Sequence, residues 1–359
     1  MKSAGKTDLK SLILSELQEE LRNLGEPSYR AGQITDWLYK KRVDTIDKMT
    51  NLPRPLRERL SETFSLAKID VIRVLGARDA TRKFLFRLAD GNLIESVLIP
   101  ASLALYGGRS DRRTICVSTQ VGCAYGCKFC ASGLEGFSRN LSVNEIVDQL
   151  IAVERATGEK IDNIVFMGMG EPLANLESLL RAIRIINADW GLSVGARHIT
   201  ISTSGLAPQV RILGEEALQI RLAVSLHGAT DEVRNRIMPI NRRYNIETLL
   251  SACDYYKAHK KQRLTFEYIL IADVNDSDDQ ARFLSRHAKR LSAKVNLIPY
   301  NSVSGLPWAR PSEKRQEKFL SILRAEGIPV TLRREKGHDI DAACGQLRLQ
   351  TEREALAGG

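Results

Sequence analysis

Three cysteines in one short loop are the residues of this chain whose types and spacing point most directly to chemistry. Cys123, Cys127 and Cys130 form a C-x3-C-x2-C pattern in the glycine-rich stretch 122–133. Three thiolates can hold three corners of an iron–sulfur cube and leave the fourth iron open to a small ligand. The spacing therefore predicts a [4Fe-4S] cluster whose open iron takes part in a reaction.

A structural zinc site is the alternative, with Cys116 as the fourth ligand. Structural zinc sites usually contain two tight pairs of Cys or His, whereas this chain has one tight triplet, so the iron–sulfur interpretation is favoured. Phe129 directly precedes the last cysteine of the triplet. We expect this flat side chain to pack a nucleoside against the cluster.

Polar turns follow four strand-like runs, and ligands of parallel α/β sheets bind at such strand ends. In the first of these turns two glycines would let the backbone approach a ligand, although an ordinary turn has the same composition. A single histidine in such a turn is more often a structural residue than a catalyst. Four polar turns together nevertheless predict a ligand site. The four turns are residues 168–173, 202–205, 225–228 and 299–301.

The periodicity of apolar residues predicts elements that bring these turns to one edge of a sheet. Three short helices are expected within residues 8–64, and three strands at 68–78, 83–88 and 93–100. From residue 114 onward strands and helices alternate, which predicts an open (β/α)6 barrel, a partial TIM-like barrel with its chemistry at the carboxyl ends of the strands. The barrel strands are expected at 114–119, 163–167, 198–202, 221–225, 264–271 and 294–298, and helices at 144–157, 176–188, 207–218, 246–260 and 278–291.

The length of 359 residues and the hydrophobic content of 43% allow one large core and a smaller domain. We divide the chain accordingly into four parts. Residues 1–66 are expected to form a helical accessory domain, 67–108 a short β linker, 109–348 the barrel core, and 349–359 a tail.

The formal net charge of +10 favours a polyanionic partner, with a solvated basic surface as the equal alternative. Residues 1–24 have a polar, amphipathic pattern, and contain no apolar stretch of the length of a signal peptide or membrane span. We therefore expect a soluble, cytoplasmic protein with no membrane partner. In a reducing compartment its six cysteines are expected to be ligands or reactive thiols and not a disulfide framework.

The cysteine loop resembles that of the radical S-adenosylmethionine (SAM) superfamily, in which SAM chelates the open iron and is split into a 5′-deoxyadenosyl radical. Further segments resemble the RlmN/Cfr family of radical SAM RNA methyltransferases and extend the resemblance to nearly the whole chain. Two of these segments, Gly-Glu-Pro at 170–172 and Gly-Phe-Ser-Arg-Asn at 136–140, look more like the adenine-C2 branch of that family than the adenine-C8 branch. The segments are TICVSTQVGC (114–123), GFSRNL (136–141), MGMGEPL (167–173), ISTSG (201–205), SLH (225–227), LIPYN (297–301) and DIDAACGQL (339–347).

The resemblance implies a role for each matching residue. The three clustered cysteines would bind [4Fe-4S]. The residues that would bind SAM are Gly170 and Glu171, Ser202, the run of Ser225, Leu226 and His227, and Asn301. Cys344 would carry a methyl group as S-methylcysteine, Cys116 would be its disulfide partner, and Glu95 would be the general base. The stretch 101–113, between Glu95 and Cys116, is longer than the pattern of this family.

The implied reaction suits adenine C2, which lies between two ring nitrogens and is too electron-poor to attack SAM as a nucleophile. Two SAM molecules would be used per turnover: one methylates Cys344, and the other yields the radical that takes hydrogen from that methyl group. Cys344 would then be joined to the RNA until Cys116 releases the product by forming a disulfide. The alternative is Cfr-like methylation of C8.

The implied RNA substrate is 23S rRNA at an adenosine of the peptidyl transferase centre. A tRNA adenosine just 3′ of the anticodon would be a second substrate. The cluster would also need a reducing partner such as flavodoxin or ferredoxin.

The N-terminal segment resembles the RNA-binding accessory domain of that family. Its basic residues would hold phosphates while the target base is extruded into the barrel, although a solvated charged face is about as consistent with each residue. These residues are Arg30, Lys40, Lys41, Arg42, Arg54, Arg57 and Arg59, beside Tyr29, Trp37 and Tyr39.

Two other classes of function remain open from the sequence. One is a non-catalytic RNA-binding protein that holds zinc or iron. The other is a radical SAM enzyme for a peptide or small molecule, which would need neither the basic N-terminal domain nor the Cys116/Cys344 pair. Taken alone, Cys344 would be read as an inert buried thiol, and Cys253 keeps that interpretation.

Overall fold

The N-terminal domain is a helical unit closed by a two-stranded sheet. The structure, a computed structural model, describes residues 6–76, 80–100, 112–133, 136–303, 305–333, 347–348 and 351. Strands β1 (Thr7–Asp8) and β2 (Phe64–Ser65) are parallel, and α1 (Leu14–Asn23), α2 (Arg30–Thr35) and α3 (Arg54–Thr63) lie between them in sequence. The three predicted helices are confirmed, whereas strands of two residues are too short to give a periodic pattern.

Three antiparallel strands follow and extend the main sheet. They are β3 (Asp70–Gly76), β4 (Arg82–Arg87) and β5 (Leu93–Pro100), and β5 pairs in turn with β6 (Arg113–Cys116), also antiparallel. The three predicted strands are therefore present. The stretch expected to link two domains is itself one edge of the barrel sheet.

The rest of the chain alternates strands and helices. The elements after β6 are β7 (Gln120–Gly122), β8 (Phe137–Asn140), α4 (Val143–Thr157), β9 (Asn163–Phe166), α5 (Leu176–Asn187), β10 (Ile199–Thr203), α6 (Ala207–Glu215), β11 (Arg221–Ser225), α7 (Asp231–Ile237), α8 (Ile246–His259), β12 (Thr265–Leu270), α9 (Asp278–Leu291), β13 (Lys294–Pro299), α10 (Glu313–Ala325) and β14 (Val330–Leu332).

The main sheet has ten strands in the order β14-β13-β12-β11-β10-β9-β6-β5-β4-β3. From β6 to β14 in this order, each pair of adjacent strands is parallel, whereas β6 is antiparallel to β5 on its other side. All six predicted barrel strands are present, and β14 adds a seventh. Within the described ranges the edge strands β14 and β3 do not pair with each other, so the barrel is open as expected.

Strand β6 ends three residues before the predicted end of the run 114–119, because side chains take over the hydrogen bonds of the ladder. The backbone N–H of Ser118 donates to the side-chain oxygen of Gln149 at 2.9 Å, and the Ser118 hydroxyl donates to the Glu95 carbonyl at 2.6 Å. These two hydrogen bonds connect β5 and α4 to the chain directly after β6.

Caps at the helix ends explain where the chain turns back to the sheet. Ser142 and Glu145 form a capping box at the start of α4, and Gly158, with φ of +69°, ends that helix in the left-handed conformation. Ser277 caps α9 by accepting a hydrogen bond from the Gln280 N–H. The sequence prediction missed α7, a helix of only seven residues.

The N-terminal domain is fastened to α4 and α5 by charged pairs. Buried Lys10 donates to Asp148 at 2.6 Å, and the other oxygen of Asp148 accepts from the Ile69 N–H at 2.8 Å. Arg181 holds both carboxylate oxygens of Glu16 at 2.8 and 2.7 Å.

Among the helices of the described residues, none combines the length and the apolar character needed to cross a membrane.

Candidate active site

The hairpin of β7 and β8 closes the loop that contains the three cysteines. The Cys123 N–H donates to the Gly136 carbonyl at 2.9 Å, and the Cys130 N–H donates to the Cys127 carbonyl at 3.1 Å. Gly122 has φ of +73°, and a Cβ there would lie 2.0 Å from the Gly136 oxygen. Glycine at 122 is therefore required for the hairpin to close the loop.

The three cysteines line one cavity with the polar turns that follow β9, β10 and β11. This cavity, here called the cluster cavity, has a volume of about 250 Å³. It lies at the carboxyl ends of the parallel strands, where such sheets bind ligands. The predicted binding residues in its wall are Gly170, Glu171, Ser202, Ser225 and His227.

The thiols of the cluster cavity fit an iron–sulfur cluster better than zinc. Burial raises the pKa of Cys123 to about 11 and raises that of Cys127 as well, so a bound cluster would displace their protons. In the described part of the chain, no three Cys, His, Asp or Glu side chains converge closely enough to hold a single metal ion. Cys116, the proposed fourth zinc ligand, does not line the cluster cavity. A cube held by three thiolates matches this donor set.

Glu171 precedes the short helix Pro172–Asn175, and backbone amides fix its carboxylate. One oxygen accepts from the Leu173 N–H at 3.0 Å and the other from the Ser204 N–H at 2.6 Å. Burial raises the pKa of Glu171 above its usual value. An ionised carboxylate has about four acceptor sites, so Glu171 can still accept hydrogen bonds from a ligand ammonium group.

The two glycines before Glu171 serve the packing of the protein as well as access to the cavity. A Cβ at Gly168 would lie 2.7 Å from the Val117 backbone, and a Cβ at Gly170 would lie 2.5 Å from the Gln120 Cβ. We expected these glycines to let a ligand approach. Both line the cluster cavity, but both are also required where the turn after β9 touches the chain after β6.

His227 is held as a neutral ring. Its Nδ1 accepts a hydrogen bond from the Ile269 N–H at 3.0 Å, so the ring proton is on Nε2. Burial, with the positive charge of Arg234 as a second cause, lowers the pKa of His227 to about 3. Its ring centre lies 4.9 Å from that of Phe129, at an interplanar angle of 90°. Phe129 thus packs on His227, and its contact with a nucleoside stays a prediction.

Leu226 and Asn301 lie outside the cluster cavity. Leu226 is fully buried and its carbonyl already accepts a hydrogen bond from Arg234, so the structure gives no support for direct contact with a ligand. Asn301 lines a second cavity of about 250 Å³, here called the Cys116 cavity. The buried side-chain oxygen of Asn301 has no hydrogen-bond partner among the described residues. It is a polar atom available to a bound molecule.

The Cys116 cavity adjoins the cluster cavity. Phe129, Cys130 and Met167 line both of them, and Cys116, buried at the end of β6, lines only the Cys116 cavity. The structure therefore brings the predicted resolving cysteine beside a predicted cluster ligand.

Glu95 shares one face of the sheet with Cys116. Val97 of β5 lies directly opposite Cys116 of β6, and Glu95 lies two residues from Val97, so its side chain points to the same face. The Glu95 carboxylate pairs with the fully buried Lys83 at 2.9 Å and accepts from the Arg348 N–H at 2.5 Å. Cys344, the predicted methyl carrier, lies outside the described residues.

Three residues near the site escaped the sequence reasoning. Lys83 looked like the polar start of an apolar strand, and Arg333, which lines both cavities, had no motif around it. Arg234 is fully buried on α7 and donates to the Leu226 carbonyl at 3.0 Å, the Asn241 side chain at 2.7 Å and the Ser204 carbonyl at 2.5 Å. It joins the turns after β10 and β11. The only signal was an arginine shortly after the Ser-Leu-His turn.

Most of the basic residues predicted to meet RNA are engaged within the protein. Lys41 lies 3.5 Å from the centre of the Trp37 ring, and Arg57 donates to the Asp47 carbonyl at 2.5 Å. Exposed ion pairs contribute little and exchange readily for other partners, so RNA contact through them stays a prediction. The remaining pairs are Arg30 with Glu26, Lys40 with Asp36, Arg42 with Glu154, Arg54 with Glu58, and Arg59 with Glu26.

Two family models match this chain. Residues 117–284 match the radical SAM superfamily, and residues 7–66 match the N-terminal domain of the ribosomal RNA large subunit methyltransferase. The first match contains the cysteine loop and β9, β10 and β11, which precede three of the four polar turns. The second coincides with the helical N-terminal domain.

Relatives match over nearly the whole length. The chain is 52% identical over 347 residues to a probable dual-specificity RNA methyltransferase RlmN from Akkermansia muciniphila, covering 96% of this chain and 97% of the relative. It is 54% identical to a probable dual-specificity RNA methyltransferase RlmN 3 from Opitutus terrae, covering 97% and 96%. The crystal structure of a radical SAM methyltransferase from Sphaerobacter thermophilus superposes with a TM-score of 0.87 at 46% identity, covering 95% of this chain and 98% of that one.

Proposed function

The chain belongs to the RlmN family of radical SAM RNA methyltransferases, and from that premise we propose that it methylates adenosine C2 in 23S rRNA. The family uses a [4Fe-4S] cluster and SAM. When bound, they supply a methyl group for transfer and a carbon radical that abstracts a hydrogen atom. In this proposal Cys123, Cys127 and Cys130 hold the cluster. Gly170, Glu171, Ser202, Ser225, His227 and Asn301 form the wall around SAM.

Cys344 carries the methyl group to the base. Its thiolate first takes a methyl group from SAM by displacement. Removal of one hydrogen atom leaves a methylene radical on the Cys344 sulfur, and this carbon adds to adenine C2. Glu95 accepts the C2 proton. The adduct radical gives up one electron, which the oxidised cluster would take up, so that the aromatic ring is restored.

Cys116 frees the product. Its thiolate attacks the Cys344 sulfur, the bond between that sulfur and the new carbon breaks, and a Cys116–Cys344 disulfide forms. The released carbon takes a proton and becomes the methyl group of 2-methyladenosine. The disulfide must be reduced before the next turnover.

One observation carries the proposal: the Cys116 cavity is lined by the predicted resolving cysteine Cys116, the predicted cluster ligand Cys130, and Asn301. The side-chain oxygen of Asn301 has no hydrogen-bond partner among the described residues. The hydrogen bond from the Arg348 N–H to Glu95 adds support. Arg348 is the fourth residue after Cys344, a span of at most about 14 Å. The covalent chain therefore allows Cys344 to meet Glu95 and Cys116 at one place.

We extend the proposal to a second substrate and to a cellular site. The relatives are named as dual-specificity RNA methyltransferases, which supports tRNA, at the adenosine 3′ of the anticodon, beside 23S rRNA. The proposed place of action is the cytoplasm, where both RNAs are present.

Nucleoside analysis tests the proposal. Protein with reconstituted cluster is incubated with SAM, a reductant and a 23S rRNA fragment or tRNA, and digested RNA is analysed by liquid chromatography and mass spectrometry. We expect 2-methyladenosine from both RNAs. Appearance of 8-methyladenosine instead would assign the chain the Cfr-type reaction, which its relatives and its N-terminal family match do not favour.

A further inference from the structure

Four exposed cations lie in the cysteine loop and in the segment 236–243, which is hydrogen-bonded to the loop at residue 237. They are Lys128, Arg236, Arg242 and Arg243, here called the basic rim. Within the described residues, no carboxylate forms a salt bridge with any of the four. Most cations of the N-terminal domain, by contrast, are paired. The basic rim is therefore a patch of positive charge without local compensation.

The basic rim is attached directly to the cysteine loop on one side. The Lys128 N–H donates to the Ile237 carbonyl at the end of α7 at 2.9 Å. The Lys128 carbonyl accepts from the Trp308 side chain at 2.7 Å, and the Arg236 guanidinium lies 5.6 Å from the Trp308 ring centre. Lys128 directly follows the ligand Cys127, so these contacts run from the surface to the cluster site.

Aromatic side chains make a second connection. The Arg243 guanidinium lies 5.3 Å from the ring centre of Tyr244. Arg243 and Tyr244 act electrostatically on Tyr125. Tyr125 lies between Cys123 and Cys127 in the loop and lines the cluster cavity. The basic rim thus contacts the loop through a backbone hydrogen bond and acts on it electrostatically through Arg243.

The basic rim lies away from the place where the target base must react. None of its four residues lines the cluster cavity or the Cys116 cavity. The residues of the rim on α7 and after it follow β11, whereas Cys116 and Glu95 belong to β6 and β5. Strands β9 and β10 separate β11 from β6 in the sheet.

We propose that the basic rim docks a small acidic electron-transfer protein. This inference rests on the proposed function, because a radical SAM reaction needs an electron from outside the enzyme. One electron passes from the docked protein to the cluster, so that the donor is oxidised by one electron and the cluster is reduced by one. Complementary charge speeds the encounter and orients the partner. RNA, the other polyanion in the reaction, is the less suitable occupant of the rim, because its target base would have to reach the Cys116 cavity, which no rim residue lines.

Two matched charge reversals test the docking. The rim variant combines Arg236→Glu, Arg242→Glu and Arg243→Glu. The control variant combines Arg197→Glu, Arg221→Glu and Arg263→Glu, three exposed arginines at or just before the amino ends of β10, β11 and β12. Each protein is loaded with cluster, and iron content and thermal unfolding are measured first. SAM cleavage and RNA methylation are then driven either by dithionite or by a flavodoxin that NADPH and its reductase keep reduced.

With flavodoxin, we expect SAM cleavage by the rim variant to fall about tenfold or more, and further loss of rate with added salt in the unchanged protein. With dithionite, cleavage and methylation should match the unchanged protein, and the control variant should match it with both reductants. Unaltered flavodoxin-driven cleavage in the rim variant would overturn the docking. Loss of dithionite-driven methylation alone would assign the rim to RNA and overturn it too. Failure of the unchanged protein itself to cleave SAM with dithionite would instead overturn the proposed function.

Discussion

Glu95, the proposed general base, is a buried carboxylate whose two oxygens both have partners within the protein. Its carboxylate is only 2% exposed, which would be costly for a charge without a partner, and Lys83 supplies the opposite charge at 2.9 Å. The Arg348 N–H adds a hydrogen bond to the other oxygen. The ion pair and the hydrogen bond fix the Glu95 carboxylate on the face that Cys116 shares.

Replacement of Glu95 by Gln separates its chemical role from its structural one. Glutamine keeps the shape and can still accept from Arg348, but it cannot take the C2 proton. We expect SAM cleavage to persist and formation of methylated adenosine to fall about 10²- to 10⁴-fold, the usual contribution of a general base. Product formation by Glu95→Gln at the rate of the unchanged protein would exclude Glu95 as the base.

At this scale the sequence predicted the residues that belong to motifs and missed those that support them. The cysteine spacing predicted the three loop thiols, and the structure places them around one cavity. Lys83 and Arg234 are not in any motif, because their importance arises from burial by distant parts of the chain. Leu226 was assigned to the ligand because the family resemblance assigned the whole run of Ser225, Leu226 and His227 to it.

Among the elements, α7 holds two turns of the barrel edge together through Arg234. Its guanidinium satisfies the carbonyls of Ser204 and Leu226 and the side chain of Asn241. A buried acceptor that loses its donor costs about 1–3 kcal/mol. The turns that carry Ser202 and His227 therefore depend on α7, a helix that is too short to be recognised from the periodicity of the sequence.

Arg234→Met should loosen both turns. We expect the unfolding free energy of the protein to fall by several kcal/mol, since three buried acceptors each lose about 1–3 kcal/mol. We also expect weaker SAM binding by the cluster-loaded protein, measured by equilibrium dialysis. Arg236→Met on the same helix is the control, because Arg236 is exposed, and its change should stay within about 0.5 kcal/mol. Equal stability of both variants would show that Arg234 does not hold the turns.

For the whole molecule, the sequence predicted the order of the helices and strands along the chain better than it predicted which of them contact each other. Alternating strands and helices predicted the open barrel, and all six predicted strands are found in it. The pattern could not show that β3, β4 and β5 continue the same sheet, because strand pairing depends on residues far apart in sequence. Nor could it reveal the contact of Lys10 with Asp148, which are 138 residues apart.

The N-terminal domain should depend on that contact for its position on the barrel. Lys10→Met leaves Asp148 buried without its cation, and loss of one partner of a buried pair costs about 3–5 kcal/mol. Urea unfolding should show this loss. The control is Lys48→Met, which breaks the exposed pair of Lys48 with Asp44 and should cost less than about 1 kcal/mol. Similar losses in the two variants would contradict the proposed role of the Lys10–Asp148 pair.

In the proposed reaction Cys344 carries carbon to the RNA and Cys116 releases it. Cys116→Ala keeps the methyl carrier but lacks the thiol that resolves the adduct, so the variant should accumulate a covalent protein–RNA species with SAM and reductant. Cys344→Ala should form neither methylated protein nor adduct. The measurement is peptide mass spectrometry after nuclease trimming, and the added mass should map to Cys344. Normal turnover by Cys116→Ala, or an adduct on Cys253, would contradict the account even with the cluster in place.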